Sequence, residues 1–203
     1  MRILLIGATG TIGKAIAAAL APSHEVLQAS HSRSAYTVDL GDIASIKALL
    51  GRVGKVDAIV SAAGQAAFRP FSELTDADFA LSLGNKLMGQ VNLTRLGFAV
   101  VNDGGSITLT SGVLGQRPMP GSGAVSLVNA GLEGFGRAAA AEAPRHIRVN
   151  VVSPGWVTET LIAYKMDPAG GTPAAGVAQL YKRAVEGTMT GATITTGDRP
   201  LPA

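Results

Sequence analysis

Three glycines spaced three residues apart, Gly7, Gly10 and Gly13, carry the clearest chemical signal in this chain. They follow a short apolar segment, residues 3–6, and precede an alanine-rich segment with helical periodicity, so they form a strand-to-helix turn. Glycine lets the backbone turn tightly and approach a pyrophosphate, and the free N–H groups of the helix start face the phosphates. The motif therefore predicts a dinucleotide site. A glycine-rich turn without a ligand is the alternative.

The end of the next predicted strand indicates which dinucleotide would bind. An acidic side chain at this point would accept a hydrogen bond from the ribose 2′-hydroxyl of NAD. The chain instead has Ser30, His31, Ser32 and Arg33. Arg33 and His31 can face a 2′-phosphate, with the serines as hydrogen-bond donors. This favours NADP(H) over NAD(H), and a solvated surface loop is the alternative.

Strand and helix patterns alternate along the chain, which predicts a Rossmann-type doubly wound α/β fold. We expect a parallel sheet of about seven strands in the order 3-2-1-4-5-6-7, with helices on both faces. We find no repeat, linker or composition break, so residues 1–203 are predicted to form a single domain. The predicted strands are 2–6, 25–29, 35–39, 56–61, 106–110, 147–152 and 192–195; the predicted helices are 11–21, 42–51, 75–101 with a break near Gly84, 122–142 and 173–186.

Composition excludes several classes of protein. Hydrophobic residues make up 47% of the 203 residues and charged residues 15%, which is enough for a sizeable core and argues against disorder. The net charge of +3 contains no basic block, so no nucleic-acid partner is expected. The chain has no cysteine and three scattered histidines, so we expect no metal site. Without a signal peptide or a membrane-spanning run, a cytoplasmic protein without a membrane partner is expected.

Beyond the glycine motif, the chain resembles the short-chain dehydrogenase/reductase family from end to end. Each matching segment is weak alone, but their order and spacing together are specific. The segments are Val38–Leu40, Ser61–Gly64, Gly105–Ile107, Ala130–Phe135, Ile147–Gly155 and Thr190–Gly191.

The resemblance implies a nicotinamide cofactor and a small-molecule substrate, and it places the cofactor contacts. Asp39 and Leu40 would flank the adenine. The inner ribose would contact Ala62, Ala63 and Gly64. The nicotinamide carboxamide would be held by Pro154, Gly155, Val157 and Thr158. The glycine turn would contribute Gly7, Thr9, Gly10, Thr11, Ile12 and Gly13.

Four positions depart from the family's catalytic pattern. In the family a tyrosine transfers the substrate proton, a lysine four residues later lowers its pKa and holds the ribose, a serine orients the carbonyl, and an asparagine holds a water for the proton relay. Alignment on the surrounding segments puts Val125, Asn129, Gly112 and Lys86 in those four slots. The chain therefore resembles a compact, atypical member without the Tyr-x-x-x-Lys pair.

Lysine and asparagine have exchanged slots, which suggests a hypothesis. Asn129 would bond the ribose, and Lys86 would supply positive charge from the neighbouring helix, orienting a substrate oxyanion or relaying a proton through water. A purely structural role for Lys86 is the alternative.

The proton donor is the open question of the site, because Val125 cannot transfer a proton. The candidates are water, Ser111 (one residue before the serine slot), Ser122 and Tyr164, whereas Tyr36 and Tyr181 are expected to pack in the core. The catalytic candidates are therefore Ser111, Lys86 and Asn129. A short substrate loop near 159–175 is expected, irregular around 167–173, with a pocket that is shallow or completed by a partner chain.

The leading prediction is an NADP-dependent oxidoreductase acting on a carbonyl or alcohol by a non-standard proton route. Two alternatives stay open: a non-redox enzyme that performs isomerisation, cyclisation or elimination, and a non-catalytic nucleotide-binding protein. The helices near 85–101 and 122–142 have small-residue faces. In the family these helices pair across a two-fold axis, so the resemblance implies a homodimer or homotetramer.

Overall fold

The computed structural model describes residues 1–196, which form one seven-stranded parallel sheet in the order β3-β2-β1-β4-β5-β6-β7. This confirms the predicted Rossmann-type topology. The domain prediction also covers residues 197–203, which lie outside the described residues. The strands are β1 Arg2–Ile6, β2 Glu25–Ser30, β3 Tyr36–Thr37, β4 Val56–Ser61, β5 Val101–Thr110, β6 Arg148–Ser153 and β7 Thr193–Thr195.

Helices cover both faces of the sheet, and each face has its own hydrophobic core. Leu4 and Ile6 of β1 pack toward α2, α4 and α5, while Ile3 and Leu5 pack toward α1 and α7. This alternation follows from the two-residue period of a strand, and burial on both faces explains the continuous apolar run. The helices are α1 Thr11–Leu20, α2 Ile43–Val53, α3 Asp76–Ser82, α4 Gly89–Gly97, α5 Gly123–Glu142, α6 Thr158–Ala163 and α7 Ala174–Glu186.

Helix α5 lies unusually close to the sheet. A Cβ atom at Gly136 would overlap the side chain of Val151 on β6, so only glycine allows this approach. The same helix carries Asn129 two turns before Gly136 and Glu133 one turn before it, and both are buried. The close packing therefore brings these polar side chains against the carboxyl ends of β5 and β6, where parallel sheets bind ligands.

The predicted helix over 75–101 is too long. The structure divides it into α3, a π-helical turn over Leu83–Met88 and α4, which ends at Gly97, and β5 begins at Val101 rather than Ser106. The break near Gly84 coincides with the π-helical turn. Tertiary contacts end the helix early, because the Val56 N–H donates to the Val100 carbonyl at 3.1 Å and the Arg145 guanidinium binds the carbonyls of Phe98 and Val101.

Two other elements differ in extent. The third strand covers only Tyr36–Thr37, because it pairs with β2 at two positions. The substrate segment is less irregular than expected, since it contains α6 and a 3₁₀ turn at Pro168–Gly170. Asp167 accepts a hydrogen bond from Ala169 N at 2.9 Å and so caps this turn, and Thr172 exchanges backbone hydrogen bonds with Trp156 and Thr158. The expected loop over 167–173 thus contains one short 3₁₀ turn and one isolated bridge, from Thr172 to Val157.

Candidate functional site

Two glycines of the β1–α1 turn are required by packing. Gly7 has a φ of 86°, and a Cβ atom there would overlap the Ala62 carbonyl. A Cβ atom at Gly13 would overlap the carbonyl of Gly7. These contacts let the turn sit between β1, β4 and the start of α1.

Gly10 is different, because the fold leaves room for a side chain there. A Cβ atom at this position would have the Gly7 carbonyl oxygen as its nearest neighbour, at 3.4 Å, which is an ordinary van der Waals contact, and Gly10 is exposed. Within residues 1–196, the first turn of α1 has no side-chain cap and no acidic residue. Its N–H groups, from Thr11, Ile12 and Gly13, therefore remain available to an anion at the surface where Gly10 offers only backbone.

A first cavity, which we call the β1–β2 cavity, opens beside this turn with a volume of about 130 Å³. Ser30, His31, Asp39 and Leu40 line it, together with residues that sequence reasoning had not singled out. The complete lining is Ile6, Gly7, Ser30, His31, Val38, Asp39, Leu40, Ala63, Gly64, Gln65 and Asn85. Asn85 is tied to this wall, since its Oδ1 accepts from the Gln65 N–H at 2.8 Å.

The residues after β2 that were predicted to contact a 2′-phosphate differ in their burial and in whether they line the cavity. Ser30 is buried, and its Oγ accepts from the Arg33 N–H at 2.9 Å, which closes the turn after β2. His31 is exposed at the cavity rim. Arg33 is exposed and does not line the cavity.

A second cavity, which we call the β5–β6 cavity, opens on the other side of the glycine turn with a volume of about 180 Å³. It is largely apolar and brings together Ser111, Asn129 and the segment after β6. Its lining is Ile12, Ser111, Gly112, Val113, Leu114, Asn129, Pro154, Gly155, Trp156, Val157 and Thr160. Thr158 begins α6 just outside this wall, and its N–H donates to the Thr172 carbonyl at 3.0 Å. Ala62 packs at the core side of the glycine turn.

Two of the family departures are coupled sterically in this cavity. Asn129 is 2% exposed and its Nδ2 donates to the Gly112 carbonyl at 3.3 Å. A Cβ atom at Gly112 would lie 3.1 Å from that nitrogen, so a serine in this slot would crowd the amide. The Asn129 Oδ1 is buried and has no hydrogen-bond partner in the described part of the chain. A buried acceptor left in this state is costly unless a ligand donates to it.

Lys86 lies in the π-helical turn, behind Gly64 rather than in the β5–β6 cavity. A Cβ atom at Gly64 would meet the Lys86 side chain at 3.0 Å, so this glycine makes room for the lysine. Within residues 1–196 the ammonium group has no hydrogen bond or ion pair, and none joins it to Asn129. Desolvation by burial lowers the pKa of Lys86 to about 8. The two members of the hypothetical exchanged pair therefore lie at separate points, Lys86 behind Gly64 and Asn129 in the wall of the β5–β6 cavity.

The other candidates for proton transfer are less suitably placed. Ser122 is buried, and its Oγ is engaged by Met119 and by Ser126 at 2.7–3.0 Å. Tyr164 is 68% exposed at the end of α6. Tyr181 is fully buried in α7, hydrogen-bonds Thr110 Oγ1 at 2.8 Å and has a raised pKa because of burial. Tyr181 is therefore a packing residue, as predicted, and half-buried Tyr36 stacks under Arg52.

Sequence reasoning missed the residue at the centre of the polar wall, Glu133. Its carboxylate is 6% exposed and accepts hydrogen bonds from Ser111, Ser153 and Gln116. Glu133 lies within Ala130–Phe135, a segment used only to align the chain. The signal that could have found Glu133 is an acidic residue on the inward, apolar face of a predicted helix, where a charged side chain is rarely buried without a role.

No helix among residues 1–196 is long and apolar enough to cross a bilayer. No group of three or more histidine, cysteine or acidic side chains in that range could hold a metal ion.

Known structures share this fold over nearly the whole chain. The protein lin1944 from Listeria innocua is 41% identical, with a TM-score of 0.94 covering 97% of this chain and 100% of that one. A small-chain dehydrogenase in complex with NADPH is 25% identical, with a TM-score of 0.85 covering 97% and 96%. The family model described as enoyl-(acyl carrier protein) reductase matches residues 12–195. The chain belongs to the short-chain dehydrogenase/reductase family.

Curated sequences related to this short-chain dehydrogenase/reductase match it over part of their length. Oxidoreductase UcpA of Escherichia coli K12 is 30% identical over 141 residues, 66% of this chain and 54% of that protein. A 3-oxoacyl-[acyl-carrier-protein] reductase of Rattus norvegicus is 28% identical over 159 residues, 77% and 65% respectively. The chain spans about half the length of the first of the curated relatives it matches.

The contrast between Gly10 and Gly13 gives a first prediction. Gly13→Ala should destabilise the protein by roughly 3 kcal/mol, because the new methyl group overlaps backbone. Gly10→Ala should change the unfolding free energy by less than about 1 kcal/mol, yet weaken nicotinamide dinucleotide binding at least tenfold by blocking the approach of phosphate. Chemical denaturation and calorimetric titration measure the two effects. Equal stability losses would contradict this account of the turn.

The pKa of Lys86 predicts a pH effect on stability. The unfolded chain keeps the lysine proton up to about pH 10.5, whereas the folded protein releases it near pH 8. The unfolded state therefore binds more protons between these values, and stability should rise with pH across this window. Lys86→Met should remove this rise and raise stability below pH 8. Thermal unfolding of both proteins across the window measures it, and parallel curves would contradict the assignment.

Proposed function

We propose that this protein is an NADP-dependent oxidoreductase that moves a hydride between the nicotinamide ring and a carbonyl or alcohol carbon of a small substrate. One observation carries the proposal. The β1–β2 cavity and the β5–β6 cavity both touch the glycine turn, the first through Gly7 and the second through Ile12. A dinucleotide laid across the turn would have one half in each cavity and its pyrophosphate at the start of α1.

The residues present fit such a cofactor. Gly10 leaves open a space that any side chain would fill, and the fold itself does not require that space. The buried Asn129 Oδ1, unpartnered within residues 1–196, can accept a hydrogen bond from a ribose hydroxyl. When bound, the cofactor would supply the hydride. Asp39 and Leu40 would hold the adenine, Ala63 and Gly64 the inner ribose, and Pro154, Gly155 and Val157 the nicotinamide, with Thr158 beside them.

Selectivity for the 2′-phosphate is proposed for the turn after β2. His31 lies at the rim of the β1–β2 cavity and Arg33 two residues beyond it. No acidic residue occupies this turn, so nothing there would accept from a 2′-hydroxyl or repel a phosphate. The NADPH-bound state of the similar small-chain dehydrogenase also supports this cofactor.

A non-redox reaction on the same scaffold is the second candidate. The specific observation in its favour is that Val125 and Gly112 occupy the slots of the family's proton donor and carbonyl-orienting serine. An isomerisation, cyclisation or elimination would need neither of them in those positions. Oxidation of NADPH coupled to substrate reduction distinguishes the two candidates.

We also propose that the protein works as a homodimer or homotetramer through α4 and α5. An apolar groove of about 360 Å³ runs between these helices, with Phe98 and Phe135 in its walls. In the family these helices pair between subunits. Ala138→Asp, at an exposed position in the wall of this groove, should yield a monomer with an intact fold, because the introduced charge would be buried in the interface. Light scattering measures the mass, and a monomeric wild-type protein would exclude the proposal.

Binding and turnover of nicotinamide nucleotides test the proposed function directly. We expect NADPH to bind at least tenfold more tightly than NADH, and Arg33→Ala to reduce NADPH affinity much more than NADH affinity, because a phosphate–guanidinium contact is lost. Lys47→Ala, on the exposed face of α2, is the matched control.

Turnover is then followed by nicotinamide absorbance with ethyl acetoacetate, diacetyl and phenanthrenequinone as carbonyl probes. Consumption of NADPH with any of them supports the oxidoreductase. Tight NADPH binding without turnover of any probe would favour the non-redox candidate. If neither NADPH nor NADH binds, the protein uses neither nucleotide and the proposed cofactor is excluded.

A further inference from the structure

Glu133 forms a compact polar cluster at the wall of the β5–β6 cavity. Its Oε1 accepts from Ser111 Oγ at 3.0 Å and from Ser153 Oγ at 2.9 Å. Its Oε2 accepts from Gln116 Nε2 at 2.9 Å. The cluster thereby joins α5 to the ends of β5 and β6 and to the turn after β5.

The cluster differs from an ordinary buried ion pair. Within residues 1–196 no cationic side chain pairs with Glu133, and its three partners are two hydroxyls and an amide. A buried carboxylate without a counter-ion carries a large desolvation cost, which three hydrogen bonds offset only in part. A glutamine could join the same elements at lower cost, so anchoring alone does not account for a carboxyl group here.

Only one of the two serines connects the carboxyl group to the cavity. Ser111 lines the β5–β6 cavity beside Asn129, whereas Ser153 is 1% exposed and is absent from its walls. The Ser111 hydroxyl donates to Glu133, so its oxygen lone pairs remain available to a hydroxyl group in the cavity. Substrate oxygen, Ser111 and Glu133 would then form a continuous hydrogen-bonded chain.

We propose that Ser111 and Glu133 replace the missing tyrosine as the proton route, with Ser111 contacting the substrate and Glu133 acting through it. The proposal rests on the proposed oxidoreductase function. In alcohol oxidation, the substrate O–H proton passes to Ser111 Oγ while the Ser111 proton passes to the Glu133 carboxylate. The substrate's O–H electron pair forms the carbonyl π bond as its C–H hydride leaves to NADP⁺. In reduction every transfer reverses, with Glu133 starting as the carboxylic acid.

The placement of the other candidates supports this assignment. Lys86 is outside the cavity walls, Ser122 has its hydroxyl engaged in a turn, and Tyr164 is largely exposed. Within the described chain, the Ser111 hydroxyl lines the cavity and is hydrogen-bonded to a buried proton acceptor, the carboxyl group of Glu133.

Glu133→Gln is the decisive variant because it preserves shape. The amide oxygen can accept from both serines, and a flip of the Gln116 amide pairs it with the new NH₂ group. The variant cannot take up the proton. With whichever carbonyl probe the wild type reduces, we expect kcat to fall about 100-fold, which is the scale of lost acid–base catalysis. The Kd of NADPH should stay within about threefold. Ser111→Ala should lose a similar factor, and the double variant should lose no more than the larger single loss.

The two serines supply a matched comparison. Ser111 and Ser153 donate to the same oxygen, so a purely structural cluster predicts similar effects of Ser111→Ala and Ser153→Ala. The relay predicts that Ser153→Ala lowers thermal stability but reduces kcat at least tenfold less than Ser111→Ala. Glu73→Gln, at an exposed carboxylate in the turn before α3, controls for the lost charge.

Infrared spectroscopy gives a readout that does not depend on turnover. Difference spectra between wild type and Glu133→Gln, recorded without cofactor, isolate the carboxyl group of Glu133. Ser111→Ala should shift the band of this group, because it removes the hydroxyl that donates to Glu133 Oε1. A band that Ser111→Ala leaves unchanged would show that Ser111 does not bond Glu133 and would overturn the proposal.

The kinetic outcomes separate failure of the relay from failure of the oxidoreductase. If the wild type reduces a probe and Glu133→Gln stays within threefold of it, the relay is excluded and the oxidoreductase stands. Equal kcat losses for the two serine variants exclude it as well. If the wild type binds NADPH but reduces no probe, the result favours the non-redox candidate, and the relay falls with the oxidoreductase on which it rests. Should Glu133→Gln not fold, the serine comparison decides.

Discussion

The contact between Gly7 and Gly13 is the constraint on which the site depends. Because neither residue has a side chain, the start of α1 can rest on the Gly7 carbonyl while Gly7 rests on the Ala62 carbonyl of the segment after β4. This interlock puts the N-terminus of α1 at the carboxyl edge of the sheet, between the two cavities. A phosphate-sized anion bound there would face backbone N–H groups on a rigid frame.

A second close approach, of helix α5 to strand β6, positions the polar side chains beside the β5–β6 cavity. Gly136 lets α5 press against Val151, and the buried face of the helix then delivers Asn129 and Glu133 to the ends of β5 and β6. Gly112 belongs to the same arrangement, since it leaves room for the Asn129 amide. Gly112 and Asn129 therefore depend on each other sterically, because a serine at Gly112 would crowd the Asn129 amide.

The electrostatic arrangement also differs from that of the family. There, a lysine on α5 lies beside the tyrosine and favours its ionised form. Here the helix carries a neutral amide and a carboxyl group, and the lysine lies on a different helix, behind Gly64. Burial of Lys86 favours its neutral form, while neutral donors hold the carboxyl group of Glu133.

The sequence by itself determined the fold class, the strand order and the glycine turn, because alternating strand and helix periods and right-handed crossovers leave few arrangements. It also located the segments that line both cavities, since these follow strands whose carboxyl ends share an edge. Helix ends were less predictable: α4 stops at Gly97 because Arg145, distant in sequence, binds the carbonyls that follow. Only the tertiary structure decided that Glu133 joins Ser111 and Ser153, that Lys86 is separate from Asn129, and that the packing around Gly10 leaves room for a Cβ atom. Each of these depends on distances between residues far apart in the chain, which no local pattern encodes.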